Sequence, residues 1–565
     1  MSSITAGVQG RVGGLSVRKV AGFAVTVVGL FLLASLYGRL GRTFTVNSDD
    51  ATGVLEAEAF LQGNYLLHGW TVSNISFYTT DLPFYIIGMF FRGVSPSLLR
   101  DVPAAIYALT VGLAVWLAGR GRGDRRPAWL GMAVTFILVG LPSGGLAIWA
   151  SAGFDHIGTT LMIIASLATL DTACGRAVSW GRYALFTLAL SLAIAGDTLA
   201  LWVAAVPVII VCAGRILKKV EGGDGPNHVI LLGSCFCAIV ASKSISKLIR
   251  MTGGFTEVPL IPQFSTIHAF LCNFVYLTEG VLDLYGADFF GRVLNGETAC
   301  RLLGLLGPGF VAYSTYHAFP ARQTPGASAE NRADFLCEVL SVATAVNLAA
   351  YVFGHEATNL SSVRYVLPSF FYGAILAGRF GVGRAGCVSC LYPGIAMLAV
   401  VYAAFFGQGL LSPPAANPYV NLADFLYKKN LIYGYGTYWL SSVTTVSSEN
   451  RVKVRAVIFD GEQLAPKTWI MDRRWYRDTP AHFLVFWTSN DDHVDKTMRM
   501  QTATRTFGPP SEISRLGEHT VMIWDKDITP SLNPPAEPGV EYRAYASPPP
   551  TDSAEEAEKT TRPPR

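Results

Sequence analysis

The residues best suited to chemistry are two adjacent aspartates, Asp49 and Asp50, in the stretch NSDDATGVLEAEAF. They follow the first strongly apolar segment by about ten residues, where a membrane-embedded chain first leaves the bilayer. A carboxylate at that place can act as a general base toward a hydroxyl or an amine, and the neighbouring like charge can keep its pKa raised. The alternative is that one of the two only N-caps a helix beginning near Ala51.

Further polar residues stand at the ends of other apolar segments. Asp155 and His156 follow one in IWASAGFDHIG, and Arg364 and Tyr365 precede another in NLSSVRYVLPSF. An arginine can hold a phosphate through two parallel hydrogen bonds, so Arg364 is the leading candidate for a phosphate contact. Asp155 is interpreted as a residue that positions an acceptor or a metal. The alternatives are helix capping by Asp155, an interfacial hydrogen bond by His156, and an interfacial belt pair of Arg364 and Tyr365.

Three cations, Lys243, Lys247 and Arg250, share one face of a predicted helix near its external end. Their position opposes the usual accumulation of Lys and Arg on the cytoplasmic side, so it needs a separate reason. Attraction to the phosphate of a lipid is one such reason, because a departing phosphate needs its charge stabilised. The alternative is that these side chains snorkel toward anionic headgroups.

The composition indicates a polytopic membrane protein. Of 565 residues, 51% are hydrophobic and only 15% are charged, and the mean hydropathy is +0.36. The net charge of +4 is small and the basic residues are dispersed, which excludes a nucleic-acid-binding surface.

About eleven apolar runs are of a length that fits a membrane-spanning helix, so we predict an all-α polytopic membrane domain. Loops rich in Lys and Arg alternate with loops that are poor in them. This alternation predicts a cytoplasmic N-terminus, an extracytoplasmic C-terminus and an external position for Asp49, in the plasma (inner) membrane. The runs are 19–39, 96–119, 128–148, 157–173, 183–196, 198–214, 228–248, 300–320, 334–354, 364–379 and 386–407.

From Pro413 onward the composition becomes that of a water-soluble domain, with a helix pattern in NLADFLYKKN and strand patterns in VKVRAVIF, HFLVFWT and TVMIWD. These patterns predict a small soluble α/β domain. In the first external loop, residues 51–62 suit an amphipathic helix on the membrane surface, and PFYIIGMFFRGV is too short to span. The predicted parts are a cytoplasmic tail 1–18, a membrane domain 19–410 with external loops 42–95 and 249–298, an extracytoplasmic domain 411–530 and a disordered tail 531–565.

The order of these features resembles a known family. An apolar first helix, the acidic pair in NSDDA, a helix closing with LQGN and then TTDLPFY before the second span are similar to the GT-C superfamily of integral-membrane glycosyltransferases. The branch that the chain resembles contains protein O-mannosyltransferases and lipid A aminoarabinose transferases. The resemblance covers roughly residues 20–380, and its motifs are specific by their order.

The resemblance implies roles for individual residues. The first-loop Asp-Glu pair of the family falls on Asp49, in the position of the base, and on Asp50, where this chain has Asp for Glu. A K-P-P or Q-P-P motif falls on Asp81, Leu82 and Pro83, with one proline and the Lys or Gln missing. Asp155 matches an acidic residue of the second external loop, and Arg364 with Tyr365 matches an R-Y…P segment.

The resemblance therefore implies a glycosyltransferase that uses a polyprenyl-phosphate sugar donor and inverts the anomeric centre. A lipid, glycan or protein would be the acceptor, membrane lipids would surround the enzyme, and a divalent metal ion stays open as a cofactor. Asp49, Asp50 and Asp155 would be catalytic, and Asp81, His156, Lys243, Lys247, Arg364 and Tyr365 would bind substrate. A polytopic transporter or lipid flippase is the alternative, with Asp197 as its nearest ionisable candidate, and an inactive membrane scaffold is a third.

Overall fold

The computed structural model describes residues 17–120, 127–171, 178–218, 226–259, 261–320, 334–384, 388–459, 463–477, 479–488 and 496–532. The predicted N-terminal tail up to residue 16 and the predicted C-terminal tail from residue 533 lie outside these residues.

The chain up to residue 411 is built almost wholly from helices. A π-helical turn, Leu201–Ala205, leads into α9; a 3-10 turn, Leu360–Val366, leads into α15, and a π-helical turn, Ala377–Gly381, follows it. The helices are α1 Val17–Gly41, α2 Ser48–Leu61, α3 Leu82–Arg92, α4 Leu98–Ala118, α5 Ala128–Gly140, α6 Gly144–Trp149, α7 Ile157–Ala168, α8 Trp180–Gly196, α9 Val206–Leu217, α10 His228–Met251, α11 Ile267–Leu284, α12 Gly296–Gly304, α13 Leu306–Ala318, α14 Phe335–Phe353, α15 Leu367–Leu376, α16 Val382–Arg384 and α17 Val388–Leu411.

Seven helical segments among the described residues are long and apolar enough to cross a membrane, and five apolar helices are shorter. Large apolar side chains of α1, such as Phe23 and Phe31, are exposed, as expected for a surface that faces lipid. The predicted polytopic all-α membrane domain is thereby confirmed. The long segments are Val20–Gly41, Leu98–Ala118, His228–Met251, Ile267–Leu284, Phe335–Phe353, Leu360–Gly381 and Tyr392–Leu411.

One of these segments, α11, lies inside the predicted external loop 249–298. Asn273, Glu279 and Asp283 interrupt its apolar residues and lower its mean hydropathy to 1.2, so the sequence pattern did not indicate a membrane-spanning length. The predicted span 300–320 is instead divided between α12 and α13, which meet at Leu305.

The helix of the first external loop differs from its prediction in position and in surroundings. α2 begins at Ser48 rather than near Ala51, and its residues Val54 and Leu55 are buried in the core. It packs against α3 and against a helix of the C-terminal domain, so its apolar residues contact protein. In α3, by contrast, Phe90 and Phe91 are exposed, which suits the predicted interfacial position of that short helix.

Nine strands form two sheets in the described part of the chain. The three-stranded sheet has the order β2-β1-β6 and joins the loops 42–95 and 249–298 to the C-terminal domain. The six-stranded sheet has the order β5-β4-β3-β7-β9-β8, and β3 runs parallel to both β4 and β7. The strands are β1 Trp70–Val72, β2 Thr256–Glu257, β3 Tyr433–Gly436, β4 Lys453–Phe459, β5 Leu464–Pro466, β6 Met471–Asp472, β7 Phe483–Trp487, β8 Glu512–Leu516 and β9 His519–Ile523.

The C-terminal domain confirms the sequence prediction of a small α/β unit. Its helices are α18 Pro418–Lys428, α19 Tyr438–Ser447 and α20 Lys496–Phe507. The three predicted strand patterns correspond to β4, β7 and β9. Continuous burial of Phe483, Leu484 and Val485 in β7 explains why this strand reads as an apolar run rather than as an alternating one.

Candidate active site

The N-terminus of α2 fixes the two aspartates in different surroundings. Asn47 is the N-cap, and its Oδ1 accepts hydrogen bonds from the backbone N–H groups of Asp49 at 2.9 Å and Asp50 at 3.2 Å. The Asp50 carboxylate accepts from the N–H of Asn47 at 3.0 Å, which completes a capping box. Neither aspartate is therefore the N-cap. The alternative that one of them N-caps this helix is wrong, because Asn47 occupies that position.

Asp50 is a buried structural carboxylate. Its Oδ1 accepts from the backbone N–H of Gly153 at 3.2 Å and lies 3.3 Å from Nη1 of Arg100 in α4. The Arg100 guanidinium also donates to the carbonyls of Ser151, at 2.7 Å, and of Thr45. Asp50 thus connects the loop that follows α1 to the loop that precedes α7, and we assign it a positioning role in place of the catalytic role that the resemblance implied.

Asp49 points away from Asp50 and is only half-buried. Its Oδ1 accepts a hydrogen bond from the hydroxyl of Tyr438, the first residue of α19. Burial raises the pKa of Asp49, and the Tyr438 hydroxyl and the charges of Arg364 and Lys467 oppose that rise. A carboxylate with a raised pKa is a better proton acceptor, so the surroundings of Asp49 suit a general base.

Asp155 lies beside Arg364 at the same site. The Nε of Arg364 is 3.6 Å from Oδ1 of Asp155, and its guanidinium lies 5.3 Å from the centre of the Tyr365 ring. Burial raises the pKa of Asp155 to about 6, against the lowering effect of Arg364 and His156. The alternative that Asp155 caps α7 is wrong, because His156 occupies the N-cap position and makes no capping hydrogen bond with its side chain.

The loop that carries Asp155 is held in a demanding backbone conformation. Phe154 and His156, on either side of it, have positive φ angles of 53° and 61°. Non-glycine residues adopt such angles at a cost and only where the surroundings enforce them, which is frequent at functional sites. The Phe77 ring holds this loop on both sides of Asp155. It stacks on the Phe154 ring and meets the His156 ring edge to face.

His156 is a buried connector between helices. Its Nδ1 lies 2.7 Å from Oδ2 of Asp197, and its ring meets Tyr365 edge to face at 5.2 Å. Asp197 also accepts from the hydroxyl of Thr159 at 2.8 Å and from the N–H of Leu199 at 2.9 Å. Asp197, the ionisable candidate of the transporter alternative, is therefore engaged in hydrogen bonds within the protein. His156 in turn orients the Tyr365 ring through their edge-to-face contact.

Asp81 is also placed behind the site rather than in it. It is 1% exposed and accepts a hydrogen bond from the Thr80 hydroxyl at 2.8 Å. A Cβ at Gly158 would lie 2.4 Å from Oδ2 of Asp81, so only glycine at this position lets the start of α7 approach the carboxylate so closely. Burial raises the pKa of Asp81 to about 7, Asp197 raises it further, and Thr80 and His156 lower it.

The pKa of Asp81 leads to a prediction about stability. Because the folded protein binds this proton more tightly than the unfolded chain, ionisation of Asp81 lowers stability as the pH rises from about 4 to about 7. Asp81→Asn removes that ionisation. We expect the variant to unfold about 2 to 4 °C above the wild type at pH 8 and at the same temperature near pH 4, in thermal unfolding in detergent. A difference that does not change with pH would contradict this assignment.

Lys243 and Lys247 are exposed on α10 and are not brought to Asp49 by any contact among the described residues. Lys243 and Arg250 interact electrostatically with Glu257 of β2 instead. Their predicted contact with a lipid phosphate stays a prediction. Exposed positions near a helix end are equally suited to the snorkelling alternative.

The C-terminal domain supplies residues that sequence reasoning missed. Tyr438 stacks on Trp469 with ring centres 5.7 Å apart, and the Lys467 ammonium lies 4.6 Å from the centre of the Tyr438 ring. Lys467 is thereby placed within electrostatic range of Asp49. The available signal was the cluster of aromatic and basic residues in TYW and KTW, which a soluble domain does not need for its core.

Among the described residues, no three His, Cys, Asp or Glu side chains are grouped as ligands of a metal ion. The groups that the structure brings together at Asp49 are this half-buried carboxylate, a tyrosine that donates a hydrogen bond to it, and two cations nearby.

Eight chains of solved structures match this chain, and three of them are described in turn. ArnT from Cupriavidus metallidurans in the apo state matches with a TM-score of 0.53 and 13% identity over 91% of this chain and 100% of that one. ArnT from the same organism bound to undecaprenyl phosphate gives a TM-score of 0.49 and 12% identity over 90% and 98% of the two chains. The Archaeoglobus fulgidus oligosaccharyltransferase in complex with Zn and sulfate gives 0.45 and 12% over 81% and 67%.

At such low identity, the match to the apo ArnT structure shows a shared fold. Comparison with protein-family models gives no match, and comparison with curated proteins gives none either.

Proposed function

We propose that this chain, which has the GT-C fold, is a membrane glycosyltransferase that moves a sugar from a polyprenyl-phosphate-linked donor to an acceptor at the external face of the plasma membrane. The observation that carries the proposal is the pairing of the half-buried Asp49 carboxylate with the Tyr438 hydroxyl beside the charges of Arg364 and Lys467. A base next to two cations is what a substitution with a departing phosphate requires.

In the proposed reaction, Asp49 takes the proton from a hydroxyl or an amine of the acceptor. The acceptor oxygen or nitrogen forms a bond to the anomeric carbon of the sugar as the bond from that carbon to the phosphate oxygen breaks. The phosphate oxygen leaves with the electron pair, and attack from the opposite side inverts the anomeric centre. Tyr438 holds the Asp49 carboxylate in place through its hydrogen bond.

The departing phosphate gains negative charge during this step. Arg364 and Lys467 are the cations near Asp49, and a guanidinium can donate two hydrogen bonds to phosphate oxygens. Asp155, 3.6 Å from Arg364, orients the guanidinium. A preorganised positive charge stabilises the transition state because little reorganisation is needed when the phosphate departs.

The proposal is tested by transfer assays with purified protein in liposomes, using polyprenyl-phosphate hexose and pentose donors and membrane extracts as acceptors. We expect radiolabelled sugar to move from a donor to the acceptor fraction. Movement of the labelled donor from one leaflet to the other without transfer would instead support a flippase. Reporter fusions in the loop 42–95 and at the C-terminus test the orientation, and a cytoplasmic signal from either would contradict the external site.

The role of Arg364 leads to a prediction about donor use. Arg364→Met removes a charged contact to phosphate, and we expect kcat/KM for the donor to fall by about 10- to 100-fold, mainly through KM. The matched control is Arg292→Met, because Arg292 is equally exposed, lies in an external loop and pairs with Asp288 at 3.2 Å. Equal losses in both variants would contradict a specific phosphate contact by Arg364.

A further inference from the structure

A cleft of about 350 Å³ lies at the other end of α2 from Asp49. One wall is the last turns of α2 with Glu58, a second is Trp70 of β1, and a third is β4 with Lys453 and Arg455. Glu58 follows Asp49 by nine helical residues, which corresponds to about 13 Å along the helix axis. The cleft is therefore separate from the carboxylate that would react, and the first external loop and the C-terminal domain build it jointly.

Arg455 is the unusual residue of this cleft. It is 5% exposed, and its guanidinium lies flat on Trp475, 3.9 Å from the ring centre. Its Nε and Nη1 are buried and have no hydrogen-bond partner among the described residues. The Nε1 of Trp70, whose ring meets Trp475 at 5.1 Å, is likewise buried and without a partner there. Buried donors without acceptors are costly, so a group that accepts their hydrogen bonds is expected.

The carboxylates that line the cleft do not supply those acceptors. Glu58 accepts from the amide of Asn450 at 2.5 Å and from that of Gln62 at 3.0 Å. Asp472 accepts from Nε of Arg474 at 2.9 Å and from the backbone N–H of the same residue at 2.9 Å. The buried atoms of the cleft lining that have no hydrogen-bond partner among the described residues are all donors, and Lys453 adds positive charge to the cleft.

We propose that this cleft binds the phosphate or carboxylate group of an acidic sugar, with Arg455 and Lys453 on the anionic group. Arginine beside a lysine is suited to either anion. The volume exceeds what an anionic group alone fills and is of the size of small-molecule pockets, so a sugar ring fits beside the anion. This inference rests on the proposed function for its biological meaning: the cleft would hold the acidic end of an acceptor glycan while another part of it meets Asp49.

The test is a calorimetric binding titration of the full-length protein in detergent. The ligands are glucose 6-phosphate, glucuronate, inorganic phosphate and glucose. We expect the two acidic sugars to bind and glucose not to bind. Inorganic phosphate should bind more weakly than glucose 6-phosphate. Equal affinity for inorganic phosphate and glucose 6-phosphate would refute a ligand that carries a sugar. Equal affinity for glucose and glucose 6-phosphate would refute the anion site.

Variants separate a binding role of Arg455 from a structural one. Arg455→Met should weaken binding of glucose 6-phosphate by at least about tenfold and leave the unfolding temperature unchanged or higher, because two unsatisfied buried donors are removed. Lys453→Met, a change at a half-buried position, should weaken binding with the fold intact. Arg515→Met, on the exposed face of β8, is the matched control and should bind like the wild type.

The proposal is overturned if the wild type binds none of the anions, or if Arg455→Met and Lys453→Met both bind as the wild type does. A loss of folding in Arg455→Met together with normal binding in Lys453→Met would also overturn it. Asp49→Asn should keep full anion binding. Anion binding without sugar transfer from any donor would therefore refute the proposed function and leave the anion site standing.

Discussion

Asp49→Asn is expected to lower the rate of sugar transfer by a factor of about 10² to 10⁴, the usual contribution of a positioned general base. The amide has the shape of the carboxylate and still accepts the Tyr438 hydrogen bond, so the local structure is kept. What is lost is the ability to take a proton from the acceptor. Initial rates at saturating donor and acceptor measure this loss as a change in kcat.

Two further variants show whether the effect belongs to the base. Tyr438→Phe removes a hydrogen bond that lowers the pKa of Asp49, so the acid limb of its pH–rate profile should move to higher pH. Asp424→Asn, which changes an exposed aspartate of the C-terminal domain, should transfer sugar at the wild-type rate. Wild-type transfer by Asp49→Asn would exclude Asp49 as the base.

Arg100→Met is expected to lower the free energy of unfolding by about 3 to 5 kcal/mol, the range for breaking a buried ion pair from one side. The substitution leaves the buried Asp50 carboxylate without its countercharge and leaves the carbonyl of Ser151 without its donor at 2.7 Å. Thermal and denaturant unfolding in detergent measure the loss. We expect Asp50→Asn to recover part of it when added to Arg100→Met, because no buried charge then remains unpaired.

The matched control is Arg92→Met. Arg92 is exposed and pairs with Asp101, so its replacement should cost no more than about 1 kcal/mol. A similar loss of stability in both variants would show that Asp50 and Arg100 contribute as a surface pair does. The connection between the loop after α1 and the loop before α7 would then need another explanation.

Much of the fold was predictable because its signals are local. Apolar runs of membrane-spanning length, basic loops and strand patterns each act within about 20 residues of sequence. Asp49, Asp155 and Arg364 were predicted from signals of the same kind, since each stands near one end of an apolar segment. The structure brings these three residues together, since Arg364 pairs with Asp155 and its charge acts on Asp49.

What sequence reasoning missed depends on long-range contacts. Nothing near Asp49 indicates Tyr438, which is 389 positions away, and nothing near Asp50 indicates that Arg100 and Gly153 enclose it. The burial of α2 follows from a helix that lies in the other domain. Segments of mixed polarity such as α11 were missed for a different reason, because polar residues that face neighbouring helices lower the mean hydropathy of the run.

The contact between Asp49 and Tyr438 has a consequence for biosynthesis. During translation the aspartate is made early and inserted with the first membrane helix, whereas its tyrosine partner leaves the ribosome only after the membrane helices of the chain. Asp49 therefore lacks its partner through most of synthesis, and its carboxylate keeps the higher pKa of the unpaired state until Tyr438 reaches it. The order of synthesis thus makes the hydrogen bond between the two domains one of the last contacts of the site to form.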